Sequence, residues 1–376
     1  MDSQKFVRMW AEENHNNYDL LSTIRNYGPG AIFDLGAQNA VGFAKNFHME
    51  FYLLEDELKD LAGKGYQFYI ENNGLDQLLQ KIEKETVENN ENMRRLVSLD
   101  LTKLSNEELF QEYLKYVKPY GSFMRSYIAT QPHYIAKIEE ELKKKLASFE
   151  DHEEIFSILT GSEVEFVFKN KGDFFQKSFA ELIGHEDSVI DKTLLQTPLY
   201  EIKTKDRSRK ENLIQEKSLS PEVVRLGNIL STVGEKRFGM RFVWMPIIYF
   251  FELFLLEWKR RYGVSKNTLK KYDEEELDEL ILSNKKVSEE KLNIRSKGFA
   301  KILANGIITT LEGNEAEEFI KNINRLDEDI VEIKGNVASK GIVKGKVVVL
   351  SYTQSFDHAE KIKNMSKGDI LVSEMT

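Results

Sequence analysis

From Gly335 to Thr376 the chain reads GNVASKGIVKGKVVVLSYTQSFDHAEKIKNMSKGDILVSEMT, and its texture differs from all that precedes it. Val343, Val347 and Val349 recur at the spacing of a strand that buries one face. Gly341 and Gly345 bracket a short piece where the chain must turn tightly, and glycine tolerates the positive φ such bends need. Gly368-Asp369 reads as a turn into a second strand, Ile370 to Ser373. This predicts a small strand-containing unit over residues 331–376, beginning between about 327 and 335.

Upstream, residues 1–330 read as one large, mainly α-helical domain with a possible internal boundary at 190–220. Residues 1 to about 100 look mostly helical, broken at Gly28-Pro29-Gly30 and again at Gly63 to Gly65. Leu78, Leu79, Ile82 and Val87 suit a surface helix with a narrow buried stripe. Ser105 and Glu108 form a capping box, as do Asp273 and Glu276. Ile135, Ile138, Leu142 and Leu146 share one face of a helix from about His133 to Phe149. The apolar run Val164-Glu-Phe-Val-Phe168 reads equally as a short strand or a helix connection, and residues 191–220 as an extended excursion. Pro221 to Tyr262 reads as two helices separated near Gly234 or Gly239, and Asn314 to Leu326 as one short helix.

Composition narrows the function classes. The net charge of -9 argues against a general nucleic-acid binder, which would present a basic field. The absence of cysteine removes disulfides and Cys-based zinc sites and fits a cytoplasmic location. The N-terminal segment has no signal-peptide core. The strongest apolar run, Phe242 to Leu256, contains Pro246 and Glu252 and is shorter than the ~20 residues of a membrane span, so it reads as a buried helix with no membrane partner.

Ala338, Ser339, Gly341, Gly345, Val347 to Leu350 and Gly368 to Val372 occur in an order that resembles the opening of the phosphohistidine swivelling domain of phosphoenolpyruvate-utilising enzymes. That family includes phosphoenolpyruvate synthase, pyruvate phosphate dikinase and rifamycin phosphotransferase. The resemblance implies a partial β/β/α swivelling module over 331–376, behind the helical domain. It also implies a phosphotransferase whose phosphoryl-carrying His lies beyond the residue matching Thr376, so that no catalytic residue is expected in this chain and the chain is expected to be a truncated, inactive piece. ATP or phosphoenolpyruvate with Mg2+ would serve the complete system, with no cofactor or metal held by these residues. The expected partners are a nucleotide-binding, ATP-grasp-like domain or protein and a small-molecule acceptor. Phe250 to Leu280 resembles, in texture, the helical region that precedes the swivelling domain and holds the acceptor in rifamycin phosphotransferases. No ATP-grasp domain, Thr-Ser-His motif or phosphoenolpyruvate barrel is found.

Arg237 and Arg241 lie four apart beside the aromatic segment, on one helix face, where they could contact a phosphoryl group or pair with Glu235. Lys203, Lys205, Arg207, Arg209 and Lys210 could hold a phosphate or form a solvated loop. The six histidines are isolated: His358 lies outside the required turn, and His152-Glu153 and His185-Glu186 lack the second His of a zinc-protease helix. Gly341 to Lys346 lacks the spacing and hydroxyl of a nucleotide phosphate loop. The competing reading is a non-catalytic helical scaffold that binds a partner or a small molecule.

Overall fold

The computed structural model describes residues 5–12, 17–168, 200–323, 343–350 and 358–373. Helices dominate, as expected. In chain order the first part contains β1 (Phe6–Glu12), α1 (Asn17–Tyr27), β2 (Asn39–Lys45), β3 (His48–Leu54), α2 (Glu55–Tyr66), α3 (Gly74–Ser98), α4 (Asn106–Ala129), α5 (Pro132–Leu146), α6 (His152–Thr160) and β4 (Val164–Phe168). Then come β5 (Tyr200–Thr204), α7 (Ser208–Glu216), α8 (Pro221–Tyr262), α9 (Lys266–Leu269), α10 (Glu274–Ser283), α11 (Glu289–Arg295), β6 (Phe299–Ala304), β7 (Ile307–Glu312) and α12 (Asn314–Ile323). The last described elements are β8 (Val347–Leu350), α13 (His358–Lys363) and β9 (Ile370–Ser373).

The centre of the helical body is α8. It is a single helix of 42 residues, so the expected break near Gly234 or Gly239 does not occur. Ser220 caps its start by accepting from the Val223 amide, and Gly263, at φ +62°, ends it. Helices α3, α4, α5 and α6 all pack on it. Its apolar residues point in every direction, and Phe250, Phe254, Leu255 and Trp258 are fully buried. By length and composition α8 could cross a membrane, yet half of its most apolar window is buried against its own protein. A helix apolar on all sides is stable in water only when other helices surround it.

Residues 6–54 are the main departure from the expected helical reading. Together with β6 and β7 they form a five-stranded antiparallel sheet in the order β1-β3-β2-β6-β7. The three central strands, β3, β2 and β6, bury both faces, so their hydrophobicity does not alternate and the strand period is hidden. One face carries Val41, Phe43, Tyr52, Leu54, Ala300 and Ile302 against Ala316 and Ile320 of α12. The other places Ala40, Phe51, Leu53 and Leu303 in the main core with Ile24 and Tyr27 of α1. Two-residue hairpins join the strands: Asn46-Phe47 and Asn305-Gly306 all have positive φ, as this kind of turn requires.

Other expectations met mixed outcomes. Both capping boxes are formed, at Ser105/Glu108 and at Asp273/Glu276. Helix α5 buries Ile138, Leu142 and Leu146 completely. The stripe of α3 is Leu78, Ile82, Glu85, Asn89, Met93 and Leu96, while Val87 faces solvent. Glu85 takes its place in that stripe because Ser122 Oγ and Ser126 Oγ donate to its carboxylate and Lys81 pairs with it. Gly63 to Gly65 do not form a turn but lie inside α2. A Cβ on Gly65 would stand 1.9 Å from the Tyr134 carbonyl oxygen, so the glycine lets α2 and α5 approach backbone to backbone. Residues 191–199 and the expected domain boundary lie outside the described residues; 200–216 form β5 and α7.

In the C-terminal unit, β8 and β9 pair in parallel, from Val347 opposite Ile370 to Leu350 opposite Ser373, with α13 between them in sequence. Parallel neighbours demand such a crossover. Gly345 matters through contact and not through φ: a Cβ there would meet the Gly368 carbonyl oxygen at 2.0 Å. Gly368 itself has φ +103°, which strains any other residue. Val347 and Val349 do not face a core as expected. They are about half exposed, and Leu350 is the buried member of the strand. Gly341 lies outside the described residues.

His133 at the start of α5 is buried between Tyr27 and Tyr134, and neither ring nitrogen has a hydrogen-bond partner. Burial lowers its pKa from 6.5 to about 4. A depressed native value means that the unfolded chain takes up the proton first, so stability is complete above pH 6.5 and lost as pH falls toward 4. Urea unfolding at pH 7.5 and 4.5 should show His133→Phe escaping about 2 to 3 kcal/mol of the acid destabilisation that wild type suffers. Parallel pH curves for the two proteins would refute this assignment.

Candidate functional site

Helices α1, α4 and α8 converge with β1 on a cavity of two joined lobes. On α4, Tyr113, Tyr116, Tyr120, Met124 and Tyr127 repeat at helical spacing, so one face presents tyrosines where a core would carry leucines. On α8, Arg241, Trp244, Ile248 and Phe251 follow the same rule, and α1 contributes Tyr18, Asp19, Ser22 and Asn26. The outer lobe has a volume of about 220 Å³ and is walled by Trp10, Met49, Tyr127, Gln131, Arg241 and Trp244. The inner lobe, about 60 Å³, is walled by Tyr18, Tyr113, Tyr116, Ile247, Phe251 and Glu274. Asp19, Ser22, Tyr120 and Ile248 border both lobes.

Two buried polar atoms of this wall have no hydrogen-bond partner: the Tyr18 hydroxyl in the inner lobe and the Trp244 indole N–H in the outer one. Tyr18 is 6% exposed and packs on Phe251 with ring centroids 5.2 Å apart. A buried, unpaired polar group costs about 1 to 3 kcal/mol, so two in one cavity mark a place where a ligand can supply what the fold withholds.

The field in the inner lobe is negative. Burial raises the Tyr18 phenol well above its ordinary value, and Asp19 and Glu252 push it further. Burial also raises Tyr113, with added push from Asp278, Glu274 and Asp19. Glu274 is itself held high by burial and by Asp278, Asp19 and Glu275, against the opposing charge of Arg25 at 3.3 Å.

The two arginines singled out in the sequence are only partly united. Arg241 lines the outer lobe, is exposed, and donates from Nε to the Tyr127 hydroxyl at 3.3 Å. Arg237 is half-buried one turn earlier; burial lowers its pKa, Arg241 lowers it further, and Tyr127 opposes both. Among the described residues Arg237 forms no ion pair. Neither arginine pairs with Glu235, which instead accepts from Ser162 Oγ at 3.1 Å and from the Glu163 amide. The basic run is structural at three positions: Arg207 and Lys210 both bind Glu163, and Arg209 binds Glu154. Among the described residues no cluster of three or more His, Asp or Glu side chains is placed to hold a metal ion. His15 and His185 lie outside the described residues, and the His358 side chain is likewise undescribed.

Sequence reasoning reached the aromatic segment of α8 but not the tyrosine face of α4 or the polar face of α1. The signal was present, since Tyr113, Tyr116, Tyr120 and Tyr127 stand three, four and seven residues apart. No protein-family model, curated protein or solved structure matches this chain.

Tyr18→Phe removes the unpaired hydroxyl and keeps the ring. It should raise stability by about 1 kcal/mol or more in urea unfolding without ligand, because the desolvation penalty goes with the oxygen. A loss of similar size would show that the hydroxyl is satisfied inside the protein.

Proposed function

We propose that this chain is the acceptor-binding and swivelling part of a phosphotransferase of the phosphoenolpyruvate-utilising type. The observation that carries the reading is the joint presence of two features: a glycine-locked β-α-β unit at the C-terminal end, and an aromatic cavity in the helical body with Arg241 at its outer lobe.

The first feature fits the opening of a mobile carrier module. Gly345 packs against the Gly368 carbonyl where the two parallel strands enter, a close approach that a side chain would block. Val347, Val349, Leu371 and Val372 remain about half exposed, so this small sheet keeps apolar surface to pack against further structure. The second feature fits an acceptor pocket. It draws on Trp244, Ile247, Ile248 and Phe251 of α8, the helix whose last part opens the stretch that resembles the acceptor-holding region. The unpaired Trp244 N–H can orient an acceptor oxygen, and Arg241, with Arg237 behind it, can offset charge on an incoming phosphoryl group.

The chemistry of the complete enzyme is nucleophilic. A neutral imidazole nitrogen attacks a phosphoryl phosphorus, the bond to the donor's leaving oxygen breaks, and the resulting phosphoramidate is later cleaved by an acceptor hydroxyl. ATP or phosphoenolpyruvate, with Mg2+, would be the donor through a nucleotide-binding partner. Within these residues the work is binding and orientation: excluding water behind the tyrosines and holding cationic charge at the outer lobe.

Incubation of residues 1–376 with labelled phosphoenolpyruvate, or with labelled ATP and Mg2+, should leave the protein unlabelled. The reading frame continued past codon 376 should encode Gly-Gly-x-Thr-x-His within ~40 residues, and that His should take an acid-labile label when the nucleotide-binding partner and donor are supplied. An acid-labile label on residues 1–376, or an extended reading frame that lacks this motif, would defeat the proposal. In the second case a small-molecule-binding scaffold is the better reading.

A further inference from the structure

The inner lobe differs chemically from the outer one. Its charged lining residues are both acidic: Asp19, which also borders the outer lobe, and Glu274, which pairs with Arg25 at 3.3 Å; among the described residues no basic side chain lines it. Five aromatic rings, Tyr18, Tyr113, Tyr116, Tyr120 and Phe251, form most of the remaining wall. The Tyr18 hydroxyl is buried there without a partner. Aromatic faces and carboxylates attract the same thing, a cation, and a phenolic oxygen can accept a hydrogen bond from one. Burial first, and then the nearby carboxylates Asp19, Glu252 and Glu274, hold the Tyr18 and Tyr113 phenols protonated.

Size narrows the cation. At about 60 Å³ against about 220 Å³, the inner lobe is much the smaller, which suits a compact ammonium head. The outer lobe, about 220 Å³ and lined by Trp10, Tyr127 and Trp244, then takes an apolar or aromatic body.

We propose that the cavity binds a primary amine with an aromatic or apolar body, its ammonium in the inner lobe against Asp19 and the Tyr18 hydroxyl and its body between Trp10 and Trp244. This deepens the acceptor-pocket reading by naming a substrate class, and it rests on that reading for its biological sense. Binding is measured without any phosphoryl donor, so its failure and the failure of phosphotransfer are separate results.

Three probes share one ring and differ in the head group: 2-phenylethylamine, 2-phenylethanol and phenylacetate. Calorimetry and tryptophan fluorescence on the whole chain at pH 7.5 should show the amine binding at least tenfold more tightly than the alcohol and the acid binding least. Asp19→Asn should remove the preference for the amine. Tyr18→Phe should weaken the amine about fivefold with no loss of thermal stability, which keeps the test intact if Asp19→Asn fails to fold. Equal binding of amine and alcohol, tighter binding of the acid, or no binding of any probe would each overturn the proposal. So would unchanged amine affinity in Tyr18→Phe.

Discussion

Everything in the helical body depends on hiding α8. Its stretch from Phe242 to Leu256 is apolar apart from Glu252, a carboxylate only 2% exposed. That charge is answered by two lysines from just beyond the helix end: Lys266 Nζ at 2.8 Å and Lys270 Nζ at 3.7 Å. Both lysines are themselves buried, and burial lowers the pKa of Lys270 against the pull of Glu252. Stripping one partner from such a group would leave an uncompensated charge inside the protein, at a loss of about 3 to 5 kcal/mol. The chain turn after Gly263 is therefore pinned to the centre of the helix it leaves. The amide of Asn17, at the start of α1, donates to the Lys270 carbonyl at 2.8 Å, which sets α1 against the same point. The cavity lies where these elements meet.

A second set of charges ties the sheet to the helices. Arg295, its side chain 1% exposed, reaches Glu276 on α10 and Glu312 on β7, donates to the Lys271 carbonyl, and stacks over Phe299. Lys301, on β6, meets Asp273, the cap of α10, at 3.4 Å. Sheet and helical body are thus cross-linked through one arginine fork whose planar donors suit two carboxylates at once. The geometry makes the N-terminal strands and residues 299–312 one structural layer despite their distance in sequence.

That distance explains what was and was not legible. Caps, the stripe of α5 and the long apolar helix are local signals, and each was readable from residue type and spacing. The sheet was not, because its central strands are buried on both faces and lack alternation, and because β2 pairs with β6 across some 260 residues. One strong local clue did exist: Asn305-Gly306 between FAKILA and IITTLE is a two-residue hairpin signal. Gly63 to Gly65 misled for the opposite reason, since their purpose is contact with α5, which the local sequence cannot show. The continuity of α8 through Gly234 and Gly239 is likewise tertiary, as helices packed along its length outweigh weak local propensity. At the candidate site, Arg237 and Arg241 were legible as a pair but not in role, because only the fold shows Arg241 on a cavity and Glu235 turned toward Ser162 and Glu163.

The cavity's two ends carry opposite polarity, and this bears on how an acceptor could lie in it. Anionic phosphoryl oxygens are favoured near Arg241 and disfavoured near Asp19 and Glu274; a cation is favoured and disfavoured the other way round. A ligand with an ammonium at one end and a hydroxyl at the other therefore has one preferred orientation before any shape matching is considered. The unpaired Trp244 N–H and Tyr18 oxygen reinforce it, one a donor on the outer side and the other able to accept on the inner. Filling the lobes in that orientation would satisfy both orphans and place the hydroxyl toward Arg241. The stability forgone by leaving those atoms unpaired in the empty protein is then available as binding free energy for a ligand of matching pattern.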